Sequence, residues 1–202
     1  RDLDLSRLDQ LVDDFDRFER AYFGGVDDDS VSAFAAAAYP FVVSEVREER
    51  VRLPYTFAAV LGMTDDRELR IDMARNEGYF DADTPEPVIE EALERVDRAR
   101  AWAERMDNAY NYRLQEALPA VEVGDDVAAA LADLADFVAA GHDGEAIQEE
   151  MYETARRHGV AVGDFFEAGY LLFFDQPQGP RLGEFLGELD TEFVVRRLRR
   201  EG

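Results

Sequence analysis

The 202-residue chain has no cysteine and no lysine. Without cysteine there is no disulfide, no thiol nucleophile and no thiolate metal site. Histidine is nearly absent too. His142 and His158 are the two in the chain, and neither has a glutamate three residues upstream, so the di-iron bundle pattern fails. Glycine-rich phosphate loops, HExxH and GxSxG are all missing, which removes the common phosphoryl-transfer, zinc-hydrolase and serine-hydrolase readings. No apolar run approaches the roughly 18 residues needed to cross a bilayer, and no signal-peptide pattern occurs. We therefore expect a soluble, unexported, cytoplasmic protein with no membrane partner. The first residue is Arg1 and not methionine, so a piece of a longer protein is expected.

What is present is mostly acid. All 22 cations are arginine against 46 Asp plus Glu, for a net charge of -24. Concentrated salt makes such a balance tolerable, because the Debye length falls to about 3 Å at 1 M and self-repulsion is screened. The alternative is functional acidity, as in a helical protein–protein module or nucleic-acid mimic that meets a basic partner. That reading requires a continuous carboxylate face without aromatics. The acids are spread along nearly the whole chain and not gathered in a tail, which favours salt adaptation.

A hydrophobic share of 47%, with 14 Phe and 8 Tyr, is ample for a core. The patterning is helical throughout. Asp4 or Ser6 caps a first helix through Leu8, Leu11, Val12, Phe15, Phe18 and Tyr22, ended by Gly24-Gly25. Asp27 to Ser30 caps an alanine-rich helix that Pro40 is expected to stop. Phe41 to Leu53 is ambiguous. Pro54 opens an almost wholly apolar, buried helix to Met63, and Thr64-Asp65-Asp66 caps the next, to about Glu77. The longest helix is expected from Pro87 to Met106, and a short irregular one from Asn108 to Ala117. Further helices follow from Val127 to Ala140, from Gly144 to His158 and from Phe165 to Phe174. No convincing period-2 strand or repeat occurs. These segments together predict an all-α multi-helix array, with a soft boundary near Arg50 to Pro54 that separates an element over 1–52 from a helical domain over 53–202.

The last stretch stands apart. Residues 176–202 hold five acids and five arginines, so the entire net charge lies before them. Pro180 is a candidate first helical residue, followed by Leu182, Phe185, Leu186 and Leu189 on one face. Asp190 or Thr191 then caps a helix with Val194, Val195 and Leu198 inward and Arg196, Arg197, Arg199 and Arg200 in its last turn. Cations there complement a helix dipole, but they also suit an anionic partner. No catalytic pair is evident, and paired acids such as Asp65-Asp66, Glu90-Glu91 and Glu149-Glu150 read as caps and solvated faces. Neither a catalytic nor a metal-ligating residue is assigned. Single-stranded RNA is recognised by stacking on aromatic or guanidinium planes. Arg52, Tyr55, Phe57, Tyr110, Tyr112, Arg113 and Arg181 have that chemistry, although each tyrosine equally suits a core.

Four blocks carry a family resemblance: LVDDFDRFERAYFG (11–24), LPYTFAAVLGM (53–63), RVDRARAWAERM (95–106) and GPRLGEFLGELDTEFVVRRLRREG (179–202). Their order and spacing resemble the C-terminal, non-catalytic part of an archaeal-type class I lysyl-tRNA synthetase, nearly end to end; the last block is the most specific. The resemblance implies a stem-contact-like element followed by an α-helix cage that recognises the lysine anticodon. Its partners would be tRNA-Lys and the protein's own N-terminal catalytic domain. HIGH and KMSKS signatures are absent, so ATP and Mg belong with that domain and this stretch is expected to be non-catalytic, with no cofactor of its own. Arg52, Tyr55, Phe57, Arg181, Arg196, Arg197 and Arg200 are the RNA-binding residues that the resemblance and the chemistry together imply.

Overall fold

The computed structural model describes residues 4–25, 28–44, 46 and 50–201. Among them the chain forms ten α-helices and no strand. They are α1 (Leu8–Tyr22), α2 (Asp29–Val42), α3 (Tyr55–Leu61), α4 (Arg67–Asn76), α5 (Glu86–Met106), α6 (Asp125–Ala139), α7 (Gly144–Arg157), α8 (Val162–Phe174), α9 (Leu182–Glu188) and α10 (Thr191–Leu198). Side-chain caps set many of the starts. Asp28, Asp66, Asp143 and Asp190 each accept from backbone N–H groups of the first turn that have no helical partner. Asp27, also expected in a cap, lies outside the described residues.

One core runs through α3 to α10. Leu53, Leu61 and Met63 meet Val96 and Ala99 of α5, and Leu131, Leu134, Phe165, Phe173 and Leu182 continue it. Burying one such large side chain contributes about 2–3 kcal/mol. Helix α8 is apolar on most sides because it sits in the middle, with Phe165, Phe173 and Phe174 all buried.

Two expectations change. Pro40 lies inside α2 and does not stop it. A proline there loses its own N–H bond and crowds the carbonyl four residues back, and the helix ends within a turn of it, where Val43 N–H reaches the Tyr39 carbonyl at 3.3 Å. The second concerns residues 108–117, which form no helix. Their backbone is committed elsewhere: Leu114 N–H donates to Met63 and Gln115 N–H to Phe173, both at 2.8 Å. A segment whose later donors are spent on two distant helix ends keeps a single turn of its own, with Asn111 N–H donating to the Asn108 carbonyl at 3.0 Å.

Helix α1 forms over the expected residues, and its two faces meet different neighbours. Phe15, Phe18 and Tyr22 pack against Tyr39 and Phe34 of α2 and leave Leu11 half exposed. The face turned towards α5 is acidic instead, with Asp16 and Glu19 buried. Arg95 of α5 donates to both Asp16 oxygens, and Arg52 donates to Glu19 at 2.7 and 3.1 Å. Burial pushes the Asp16 carboxyl above its ordinary range. Glu19 is also raised by burial, but hydrogen bonds from Arg52 and Tyr39 more than offset this and hold it low. Tyr39, buried and donating to that carboxylate, is pushed up to about 12. Among the described residues, no helix is long and apolar enough to cross a membrane.

Candidate nucleic-acid interface

Three pieces of chain enclose a groove of about 400 Å³: the first turns of α3 (Thr56, Phe57, Val60), the turn at Ala109-Tyr110, and the segment from Pro180 through α9. Helix α9 is placed by glycine. A Cβ on Gly183 would lie 2.3 Å from the backbone of Gln148 in α7, and one on Gly187 would lie 2.5 Å from Gly144. The two helices therefore touch backbone to backbone, and Gly183 N–H donates to Gln148 Oε1 at 2.7 Å. This contact fixes which side of α9 faces the groove. Arg181, Glu184 and Glu188, spaced by three and four, share that side.

The groove's walls are aromatic. Phe57 stacks on Tyr79 with ring centroids 5.2 Å apart, and Tyr110 leans on Trp102 at 6.1 Å. Arg181 sits exposed at the rim, paired with Glu184. Glu188 is the unusual group. Burial first, and then the neighbouring Glu77 and Glu184 carboxylates, push its carboxyl up to about 7, and its Oε2 atom is buried without a hydrogen-bond partner. A planar ring could lie between these walls with a guanidinium at one edge and a carboxyl at another. Among the described residues no three His, Asp or Glu converge as a metal site.

The sequence-predicted residues divide by depth. Phe57, Arg181 and Tyr110 come together in this groove. Tyr55 does not join them: it is buried, packed on Trp102 at 5.5 Å and under the Arg95 guanidinium at 5.8 Å. Arg52 lies at the α1 junction, held by Glu19. Arg197 is buried, and its two terminal nitrogens donate to the carbonyls of Gln115, Glu116, Ala117 and Leu172 at 2.9–3.0 Å. Its guanidinium also lies 4.9 Å from the Phe193 ring. A group held this way ties the 115–117 segment to α8 and α10 and reaches no phosphate. Arg196 and Arg200 are exposed, and Arg199 pairs with Asp136 at 2.6 Å. Tyr112 packs on Phe174, while Arg113 is engaged by Asp65 and Glu104. Sequence reasoning does not find Glu188 or Tyr79. The signal for Glu188 is its position seven residues after Arg181, on the same helical stripe.

No family model matches the chain. Individual relatives do. A lysine–tRNA ligase from Natronomonas pharaonis is 57% identical over 206 residues, covering 100% of this chain and 38% of the relative. Another from Haloarcula marismortui is 54% identical over 202 residues, covering 99% of this chain and 37% of the relative. The chain belongs to the archaeal-type lysine–tRNA ligases. It matches a C-terminal stretch of these ligases and spans well under half of their length. Identity to the lysine–tRNA ligase of Pyrococcus horikoshii is 32% over 211 residues. The higher match to ligases of salt-loving archaea agrees with reading the acidity as adaptation to salt.

Proposed function

We propose that this chain is the tRNA-binding part of a lysine–tRNA ligase and that it recognises the anticodon of tRNA-Lys. The observation that carries the reading is end-to-end similarity to lysine–tRNA ligases at 54–57% identity. Its physical content is the α3–α9 groove, where Phe57, Tyr110 and Arg181 offer stacking planes to an unpaired base. Stacking contributes about 1–3 kcal/mol per base. It does not depend on counterion release, which molar salt largely abolishes. Arg196 and Arg200, exposed on the last turn, are proposed backbone contacts. Bond-making, with ATP and Mg, falls to sequence outside this chain, so the role here is registration of the tRNA in the cytoplasm. An acidic mimic would need an aromatic-free carboxylate face, and the groove's aromatic walls speak against it.

The test is binding in molar salt to two unmodified transcripts, one with a UUU anticodon and one altered at those three bases alone. Preference for UUU by tenfold or more, about 1.4 kcal/mol, is expected. Equal binding removes anticodon recognition and leaves general RNA contact; no binding to either by the folded chain overturns the proposal.

A further inference from the structure

We infer that the outward face of the α1–α2 hairpin is a docking surface, and that its occupant is the part of the same lysine–tRNA ligase that precedes this stretch. The inference rests on membership of the family and stands apart from anticodon recognition. It begins with where apolar surface is exposed. Among the described residues seven large hydrophobic side chains are exposed, and six of them, Leu11, Phe15, Phe34, Phe41, Val42 and Val46, fall between residues 11 and 46. Scattered singly such side chains need no explanation, but gathered they mark a contact.

The charge pattern points to the same place. Residues 30–44 carry no charge, the longest such run in a chain with 34% charged residues. The next longest, over 53–64, goes into the core, with Leu53, Leu61 and Met63 buried. Helix α2 buries only Ala35 and Tyr39. Phe34, Ala37 and Phe41, spaced by three and four, form an outward stripe in which Phe34 is 65% exposed and Phe41 89%. Phe15 and Phe34 are joined across the hairpin by Phe18, with ring centroids 6.4 and 5.6 Å apart. Molar salt screens charges to about 3 Å, but it leaves the gain from burying such a face intact.

The occupant follows from chemistry and connectivity. Helix α2 has no arginine, so it offers nothing to a phosphate backbone. In the ligases that this chain matches, the matched stretch is C-terminal and the larger part of each sequence comes before it. That part is tethered through α1, the helix on which α2 packs. A short tether holds its partner at an effective concentration in the mM range, so a face of a few side chains suffices. A second copy would have to associate from dilute solution. The hairpin is also fixed to the groove's own helices. Asp13 accepts from Tyr55 N–H at 3.1 Å and Trp102 Nε1 donates to the Leu5 carbonyl at 2.8 Å, alongside the Asp16–Arg95 and Glu19–Arg52 pairs. Docking on α2 therefore sets the preceding part in a defined place relative to α3, which walls the groove.

The chain has no cysteine, so Phe41→Cys gives it a single thiol at the most exposed point of the face. Its maleimide labelling rate is measured in this chain and in the full-length ligase, with the label mapped to position 41 by mass spectrometry. Glu153→Cys, at an exposed position of α7, is the control. A face covered about 99% of the time reacts about a hundredfold more slowly, and that is the slowing expected in the full-length ligase. The slowing should persist on dilution, and the control should react equally in both. Equal rates at position 41 overturn the proposal. Protection lost on dilution assigns the face to a second copy, and protection already present in this chain shows that no preceding part is needed; each overturns it too. Phe41→Asp is the second variant. It should leave the unfolding midpoint of this chain unchanged and lower that of the full-length ligase by about 3 °C. An equal shift in both would make Phe41 a structural residue of the hairpin and overturn the proposal. Failure of the UUU preference in the transcript assay leaves these outcomes untouched, so the two readings fail separately.

Discussion

Arg95 and Arg197 are both buried, yet two ends of the molecule answer them differently. At the α1 junction Arg95 meets Asp16 through two nitrogens, a charge against a charge. At the C-terminal seam Arg197 meets no carboxylate and gives its terminal N–H groups to four backbone carbonyls. Desolvation weighs on both sites. It raises Asp16 and it lowers Arg197, in each case disfavouring the charged form. The difference lies in what can be replaced. An ion pair can be removed as a unit and refilled with apolar side chains. Carbonyls of the main chain cannot be substituted away, so a cation that satisfies four of them has no neutral substitute of the same reach.

The comparison breaks most visibly at Arg197. Replacing it with methionine keeps bulk but strands buried acceptors, and we expect a loss of about 4 kcal/mol in chemical denaturation. No second substitution at the 115–117 segment should rescue it. Asp16→Ala comes next, at about 3 kcal/mol, because Arg95 is left buried with no acceptor for the two N–H groups it gives to Asp16. There the double variant Asp16→Leu with Arg95→Met should recover to within about 1 kcal/mol of the original, measured in the same way. If the double variant stays as unstable as the single one, the α1 junction is not a replaceable pair and the contrast collapses. The smallest effect belongs to an exposed pair. Asp136→Asn, which frees Arg199, should change stability by less than about 0.5 kcal/mol, and by nothing measurable in molar salt.

Stability should also respond to pH through Asp16. Its folded pKa is raised above the unfolded value of 3.8, so its contribution is fully present below that value and is lost as pH rises through the folded pKa. Glu188 behaves alike at a higher window, losing its contribution as pH rises through about 7.

Much of the fold was legible because helix starts are local chemistry. Asp66 and Asp190 cap where acids before apolar repeats say they should, and an apolar run such as Phe165 to Phe174 has no stable place but the centre. What escaped was set at a distance. Residues 108–117 are held out of a helix by Met63, Phe173 and Arg197, none of them near in sequence. The site was half legible for a related reason. Phe57 and Arg181 carry their chemistry in their identity and sit in the groove, while Tyr55 and Arg197 offer the same kinds of group and are buried. Residue type says what a side chain can do; depth says whether it gets to. Glu188 was invisible because one carboxylate among 46 acids looks like any other until its neighbours are known.

The glycine contact between α7 and α9 has a consequence for how such a surface tolerates sequence drift. Where two helices are spaced by side chains, each substitution shifts the gap a little, and errors accumulate across the interface. Here Gly183 and Gly187 leave nothing between the backbones to vary. The outward residues of α9 can change identity freely, and each new side chain will project from the same point in space. The wall can be repainted without being moved, so altering what the groove accepts does not require rebuilding it.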